Sequence, residues 1–167
     1  MGVFQMTEEE KRLHRCCFTG HRPEKLAAPE WQIKRELERE IRQAIADGLD
    51  VFITGMARGV DIWAAEIVLN LRDSGMPIRL MCASPFDGFE RSWNEEWQQR
   101  YRQIMASADH TLFICKGYSR SCFQIRNEWM VNHSARVIAV FNGEKGGTKN
   151  TIEYSKLSKV PIICISG

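Results

Sequence analysis

Short apolar runs alternate along the chain with longer segments whose apolar residues recur every three to four positions. The runs predict strands and the longer segments predict helices. The predicted strands are residues 15–19, 50–54, 77–84, 110–116, 135–141 and 159–166. The predicted helices begin near Glu30, Gly59, Arg91, Phe123 and Thr148.

This alternation indicates a parallel sheet, because parallel neighbours need a crossover connection that a helix fills. Runs such as VIAVF and IICI are continuously apolar, as expected of strands covered on both faces. We therefore predict one α/β domain over residues 15–167, preceded by an N-terminal extension over residues 1–14. The domain should be Rossmann-like and three-layered, with a mostly parallel sheet of about six strands and its ligand at their carboxyl ends.

The turn GMARGVD follows the second predicted strand and opens a helix. Gly55 and Gly59 would let a ligand approach backbone amides at the positive end of that helix. Arg58 adds a planar cation suited to phosphate or carboxylate, and Asp61 could cap the helix or bind a ribose hydroxyl. Tight turn geometry alone would also explain the glycines, and GxxxGxD matches neither a Walker loop nor GxGxxG.

A second glycine pair, in GGTKNT, precedes the last predicted helix. Gly146 and Gly147 would again expose backbone amides, Thr148 or Asn150 could be the N-cap, and Thr151 could offer its hydroxyl to a phosphate. The alternative is that the two glycines only shape the turn and that the polar residues after them only cap the helix. Two such turns in one small α/β domain favour a shared anionic ligand.

Other turns at the same predicted edge add polar candidates. In TGHRP these are Thr19, Gly20 and Arg22, with His21 secondary, and the third strand ends at Ser84. A final pair, Arg126 and Asn127, begins the helix after the fourth strand. These two side chains would hold a phosphate or a base edge, unless Arg126 is paired with a carboxylate or lies in solvent.

Five segments together resemble the YpsA-like family of the SLOG superfamily, which is named for DprA/Smf and the LOG enzymes. They are CCFTGHRPEKL, ITGMARGVDIWAAEIVL, SPF, CFQIRNEWMV and GGTKNTIEYS. The resemblance spans roughly residues 15–165 and implies a Rossmann-like fold with a pocket for a nucleotide-derived ligand. It makes Gly55, Arg58, Gly59 and Asp61 binding candidates. GGTKNT is similar to the PGGxGTxxE box of LOG enzymes but lacks the proline and places Glu153 out of register, which argues against phosphoribohydrolase chemistry.

Composition restricts the location and the partners. The 23 Lys and Arg nearly balance the 21 Asp and Glu, for a net charge of +2, so there is no general electrostatic footprint for nucleic acid. The six cysteines form no CxxC pair and lie mostly in apolar runs. We therefore expect reduced thiols, no metal site, no resident cofactor, no secretory signal and a cytoplasmic, non-membrane protein.

These features favour a nucleotide-binding or nucleotide-derivative-binding sensor module that passes its state to a protein partner. One alternative is an enzyme acting on a nucleotide N-glycosidic bond, and whether the protein is an enzyme stays open. Another is a DprA-like protein that handles single-stranded DNA, although we do not expect nucleic acid as the partner. A homodimer through aromatic-rich helices, such as the one carrying Trp93, Trp97 and Tyr101, is an open alternative to core packing.

Overall fold

The apolar runs form a six-stranded parallel sheet in the computed structural model, which describes Gly2 and residues 4–167. The strands are β1 (Arg15–Gly20), β2 (Val51–Thr54), β3 (Arg79–Ser84), β4 (His110–Phe113), β5 (Arg136–Phe141) and β6 (Ile162–Ser166). The helices are α1 (Glu8–Arg12), α2 (Glu30–Ala46), α3 (Val60–Asp73), α4 (Glu95–Ser107), α5 (Cys122–Asn132) and α6 (Gly147–Leu157). Short 3-10 turns occur at Pro23–Lys25 and Phe89–Ser92. The predicted fold class is confirmed.

The strand order is β4-β3-β2-β1-β5-β6, and every neighbouring pair is parallel. From β1 the chain adds strands toward one edge and then returns to place β5 on the other side of β1. The order therefore reverses between β1 and β5, whose carboxyl ends meet where Gly20 pairs with Val140. In open α/β sheets this reversal leaves a crevice that ligands occupy.

Helices cover both faces of the sheet, because alternate strand residues point to opposite sides. Cys16 and Phe18 belong to a core packed with α2, α3 and α4, whereas the intervening Cys17 packs in a second core with residues of α5. The apolar stripe of α2 is buried at Ile33, Leu37, Ile41 and Ala44. This is the three-layer arrangement that the patterning predicts.

Trp93, just before α4, and Trp97 and Tyr101 within it contact other residues of this chain. Trp93 meets Tyr101 edge to face with ring centroids 5.6 Å apart, and the Tyr101 hydroxyl lies 2.7 Å from the Ser84 hydroxyl. Trp97 stacks under the Arg100 guanidinium at 4.5 Å. Tyr101 thus anchors α4 to β3.

Several element boundaries differ from the prediction for local reasons. Helix α4 begins at Glu95 because the Asn94 side chain accepts a hydrogen bond from Trp97 N, 3.0 Å away. Strand β4 ends at Phe113, after which Cys115 N donates to Pro85 O instead of continuing the ladder. No helix within the described residues is both long and apolar enough to cross a bilayer.

Helix α1 lies in the segment that we assigned as an N-terminal extension, of which Met1 and Val3 lie outside the described residues. Thr7 and Glu10 form a capping box at its start. The extension is joined to the sheet, since His14 O accepts hydrogen bonds from Asp50 N and Val51 N. The end of the extension is therefore hydrogen-bonded to the start of β2, while α1 itself buries no residue.

Gly20→Ala should lower the free energy of unfolding by about 1–3 kcal/mol, the usual cost of overpacking a core. A Cβ at Gly20 would lie 2.5 Å from the branched Cβ of Val60, which cannot swing away. Urea denaturation measures the change. The matched control is Gly117→Ala, whose added Cβ meets no described atom within 4 Å. Equal stabilities of the two variants would contradict the packing of β1 against α3.

Candidate functional site

The carboxyl edge of the sheet holds a cavity of about 320 Å³ at the reversal between β1 and β5. Its walls come from the turns after β1, β2 and β5, from the residues after β3, and from the first turns of α5. We call it the switch-point cavity. Its lining residues are Thr19, Gly20, His21, Arg22, Lys25, Ala57, Asp61, Phe89, Phe123, Arg126, Asn127, Gly146, Gly147 and Thr148.

The amino end of α6 forms one wall of the switch-point cavity. Gly146 precedes the helix with φ at 147°, a backbone conformation that favours glycine. No side chain among the described residues caps this end, so the first amides of Gly147 and Thr148 keep the donors that a helix start leaves free. A Cβ at Gly147 would meet only Asn127 Nδ2, at 3.9 Å. The helix thus presents bare amides and its positive end to the cavity.

Arg126 of α5 supplies a buried positive charge to the same cavity, with only 5% of the residue exposed. Its Nη1 donates to Gly55 O, and its Nε donates to Asn127 Oδ1 at 2.8 Å. Burial lowers the pKa of Arg126, while the nearby charge of Asp61 opposes that shift. Two hydrogen bonds therefore fix the guanidinium in one orientation beside α6.

Asp61, in the first turn of α3, is the buried carboxyl of the cavity. Its Oδ2 accepts a hydrogen bond from Ala57 N at 3.2 Å, whereas its Oδ1 has no partner among the described residues. Burial raises the pKa of Asp61 to about 6, against the opposing effects of Arg126 and of the Ala57 amide. This carboxyl is able to exchange a proton near neutral pH.

Gly55 makes the approach of these two side chains to the backbone possible. A Cβ at this position would lie 2.9 Å from Asp61 Oδ2 and 3.1 Å from Arg126 Cδ. Gly55 does not line the cavity, but its missing side chain leaves the room that both charged groups use. The absence of a side chain at Gly55 therefore makes room for Asp61 and Arg126. The sequence pattern could not distinguish this role from the approach of a ligand to the backbone.

The turn after β1 contributes both packing and polar groups. Thr19 is buried, and His21 is 6% exposed with its ring stacked on Phe141 at 5.7 Å between centroids. Burial and the charge of Lys25 lower the pKa of His21, partly opposed by Glu144. His21 Nε2 has no partner within the described part of the chain. Arg22 lies exposed at the rim.

Arg58, the arginine that we expected to grip the anion, lies elsewhere. Its Nη2 pairs with Glu24 Oε1 at 3.2 Å, and the residue does not line the switch-point cavity. An acidic side chain of the neighbouring turn thus holds the guanidinium outside. Within the cavity the corresponding charge comes from Arg126, which the sequence suggested as a separate candidate.

Three further candidates also lie outside the lining. Ser84 is fully buried against Tyr101, and the Thr151 hydroxyl donates to Gly147 O at 2.8 Å within α6. Gly59 has φ at 89°, and a Cβ there would lie 2.8 Å from Pro23 Cδ. The hydroxyls of Ser84 and Thr151 are therefore used within the protein. Gly59 allows its own turn to pack closely against Pro23.

Aromatic residues form the part of the site that sequence analysis missed. Phe89 and Phe123 line the cavity with ring centroids 5.5 Å apart. Phe86 and Tyr118 extend the cluster, at 6.4 Å and 6.3 Å from Phe123. Tyr118 is 71% exposed beyond this wall. The segment SPFDGFE, which contains Phe86 and Phe89, was the sequence feature from which this aromatic wall could have been predicted.

The parallel sheet and the cavity at its reversal define a Rossmann-like α/β domain with a ligand-sized crevice. The profile of YpsA, the YspA SLOG family, matches residues 16–161. The chain therefore belongs to the YspA SLOG family, which confirms the resemblance. A UPF0398 protein of Shouchella clausii is 29% identical over 152 residues, covering 86% of this chain and 81% of its own length. One from Bacillus cereus strain B4264 is 31% identical, covering 76% and 70%.

Two solved structures of DNA processing protein A share the fold. The protein from Helicobacter pylori superposes with a TM-score of 0.66 at 18% identity, over 96% of this chain and 68% of that chain. The protein from Streptococcus pneumoniae gives a TM-score of 0.67 at 19% identity, over 93% and 51%. The first was described in a single-stranded DNA binding mode. At these identities the likeness shows a common fold.

The raised pKa of Asp61 should make stability depend on pH in a direction unusual for a carboxyl group. The pKa of about 6 in the folded protein exceeds the ordinary 3.8. The contribution of the Asp61 carboxyl to the free energy of unfolding is therefore complete below pH 3.8 and is lost as pH rises through 6. Compared with Asp61→Asn, the wild type should lose on the order of 3 kcal/mol between acid and neutral pH. Urea unfolding across that range measures the difference.

Asp109→Asn is the matched control. Burial alone would raise the pKa of Asp109, but hydrogen bonds from Leu80 N and Arg72 outweigh it and lower that pKa. The free energy of unfolding of the wild type should therefore fall relative to that of Asp109→Asn as pH falls, whereas for Asp61 it falls as pH rises. A pH-independent difference between wild type and Asp61→Asn would contradict the burial described for Asp61.

Proposed function

We propose that this protein binds a nucleotide or nucleotide derivative in the switch-point cavity. The observation that carries the proposal is the convergence of the bare amides of Gly147 and Thr148 with the buried guanidinium of Arg126. A phosphate placed there would accept hydrogen bonds from the α6 amides and face the positive helix end. Arg126 would add a charge-assisted hydrogen bond, which is stronger than a neutral one.

The rest of the cavity suits the nucleoside part of such a ligand. The rings of Phe89 and Phe123 offer an apolar face on which a base can stack. Asn127 and the free Oδ1 of Asp61 offer polar groups for ribose hydroxyls or a base edge. A volume of about 320 Å³ is at the small end of ligand pockets, which favours a mononucleotide-sized ligand.

A binding module is the role that these features support best. The groups around the cavity hold one another in place through Gly55 O, Asn127 Oδ1 and Ala57 N, as in a site formed before its ligand arrives. We place the module in the cytoplasm, where the six free cysteines would remain reduced. A protein partner or a second copy would then respond to the occupied state.

Arg126→Gln should lower the affinity for AMP at least about tenfold, because a charged hydrogen bond to the phosphate is lost. Isothermal titration calorimetry measures the affinity, and circular dichroism checks that the variant is folded. Arg58→Ala is the matched control, since it removes an arginine that Glu24 holds outside the cavity lining, and its effect should be smaller. If no nucleoside monophosphate and no NAD binds the wild type, the proposal is wrong.

A second candidate function, cleavage of a nucleotide N-glycosidic bond, is favoured by Asp61. Its carboxyl is buried in the cavity with a pKa of about 6, which suits proton transfer near neutral pH. In that reaction water attacks C1′ of the ribose and gives up a proton to the Asp61 carboxylate, the bond between C1′ and the base breaks, and the carboxyl passes that proton to the departing base.

Chromatographic detection of free adenine from AMP tests the enzymatic candidate. If Asp61 acts on the reacting atoms, the wild type should release adenine, and Asp61→Asn should bind AMP but release none. Absence of free base with saturating AMP and wild-type protein would exclude this candidate while leaving the binding proposal intact.

Single-stranded DNA is the ligand named for the Helicobacter pylori relative in fold. In this chain the small cavity would accept one nucleotide of a strand, and the net charge of +2 offers little for a long backbone. Our expectation against nucleic acid therefore stays a prediction. Strand binding would be recognised by an affinity that falls steeply with salt.

A further inference from the structure

A second and larger cavity, of about 760 Å³, lies at the opposite, amino edge of the sheet. It is bordered by the residues that begin β1, β2, β3 and β4 and by Met6 and Lys11 of the N-terminal segment. We call it the amino-edge cavity. We propose that it binds a small molecule carrying a phosphate group, independently of the switch-point cavity.

Arg15, the first residue of β1, provides the strongest argument. The residue is only 9% exposed, and its Nη1 has no hydrogen-bond partner among the described residues. Nη1 forms an ion pair with Glu8 Oε2 at 3.6 Å, which is too long for a hydrogen bond, and the other oxygen of Glu8 is paired with Lys11 at 2.8 Å. A buried N–H group without an acceptor is costly and rare. An oxyanion in the cavity would supply the missing acceptor.

The other charges of the cavity add to this bias. Lys11 and Arg79 line it together with Arg15, and the imidazoles of His14 and His110 lie in the same wall. Two carboxylates oppose them. Asp109 is already engaged, since its Oδ2 accepts from Leu80 N at 2.8 Å and from Arg72 Nη1 at 2.9 Å.

Asp50 is the second opposing carboxylate in the lining, and Glu8 lies just outside it. Glu8 lies closer to Lys11 than to Arg15, and Asp109 is paired with Arg72. Asp50 is then the one remaining carboxylate among the described residues of the lining against the guanidinium groups of Arg15 and Arg79, which retain a net attraction for an anion. Their planar forks match a phosphate in shape and donor spacing.

Apolar residues indicate what else the ligand carries. The cavity is lined beside the charged groups by the exposed Met6 and Pro77 and by the half-buried Val51 and Met81. A bare inorganic anion would leave these side chains without a partner, whereas an aromatic or aliphatic ester of phosphate would cover them. We therefore expect a phosphomonoester with an apolar body to bind more tightly than inorganic phosphate.

The four histidines provide local reporters for an NMR test. His14 and His110 line the amino-edge cavity, His21 lines the switch-point cavity, and His133 is stacked on Trp129 at 4.0 Å. Imidazole resonances are followed while phenyl phosphate, and separately inorganic phosphate, is added at constant pH and ionic strength. Saturable shifts of His14 and His110, at lower concentrations of phenyl phosphate, are expected.

Variants assign the response to the cavity. Arg15→Gln should raise the phenyl phosphate concentration needed to shift the His14 and His110 resonances at least about tenfold. Because Arg15 is buried, the exposed Arg79→Gln serves as a second variant that does not endanger the fold, and its affinity should also fall. Arg126→Gln should leave both shifts unchanged, which separates this site from the proposed nucleotide site. A response confined to His21 would overturn the proposal. So would shifts of His14 and His110 that are absent or unsaturable in the wild type, or that are unchanged from the wild type in both Arg15→Gln and Arg79→Gln.

Discussion

Asp61 and Arg126 are buried beside Gly55, and the carboxyl edge of the sheet is arranged around them. Arg126 donates to the carbonyl of Gly55, and Asp61 accepts from the amide of Ala57 in the same turn. Each charge is taken out of water, which raises the pKa of the acid and lowers that of the base. Because of this cost, buried charge is weak evidence for stability and stronger evidence for a functional site.

The strand order explains why these groups meet there. The reversal of strand order between β1 and β5 separates the helices on either side and leaves the carboxyl ends of both strands accessible. Into that opening α3 brings a carboxyl, α5 a guanidinium and α6 a set of bare amides. An anion bound at this point would satisfy the helix end and the guanidinium together, which neither Asp61 nor the backbone carbonyl does alone.

Much of the fold and part of the site can be predicted from the sequence. Continuous apolar runs identify buried parallel strands, and glycines mark where the chain turns at the ligand edge. Arg126 and Gly147 are brought together as those patterns suggest. The direction of a half-buried side chain is harder to predict, because Arg58 is held by Glu24, which is distant in sequence. The burial of Ser84 likewise depends on Tyr101 of another element, and the Phe89 wall comes from a loop without periodicity.

A crystal structure of the protein with AMP tests the central claim most directly. The account predicts that the phosphate lies at the amino end of α6, with its oxygens about 2.7–3.2 Å from the amide nitrogen of Thr148 and from the Arg126 guanidinium. The base should rest against Phe89 or Phe123. A phosphate bound to Arg58 on the outer surface, or in the amino-edge cavity alone, would contradict the account.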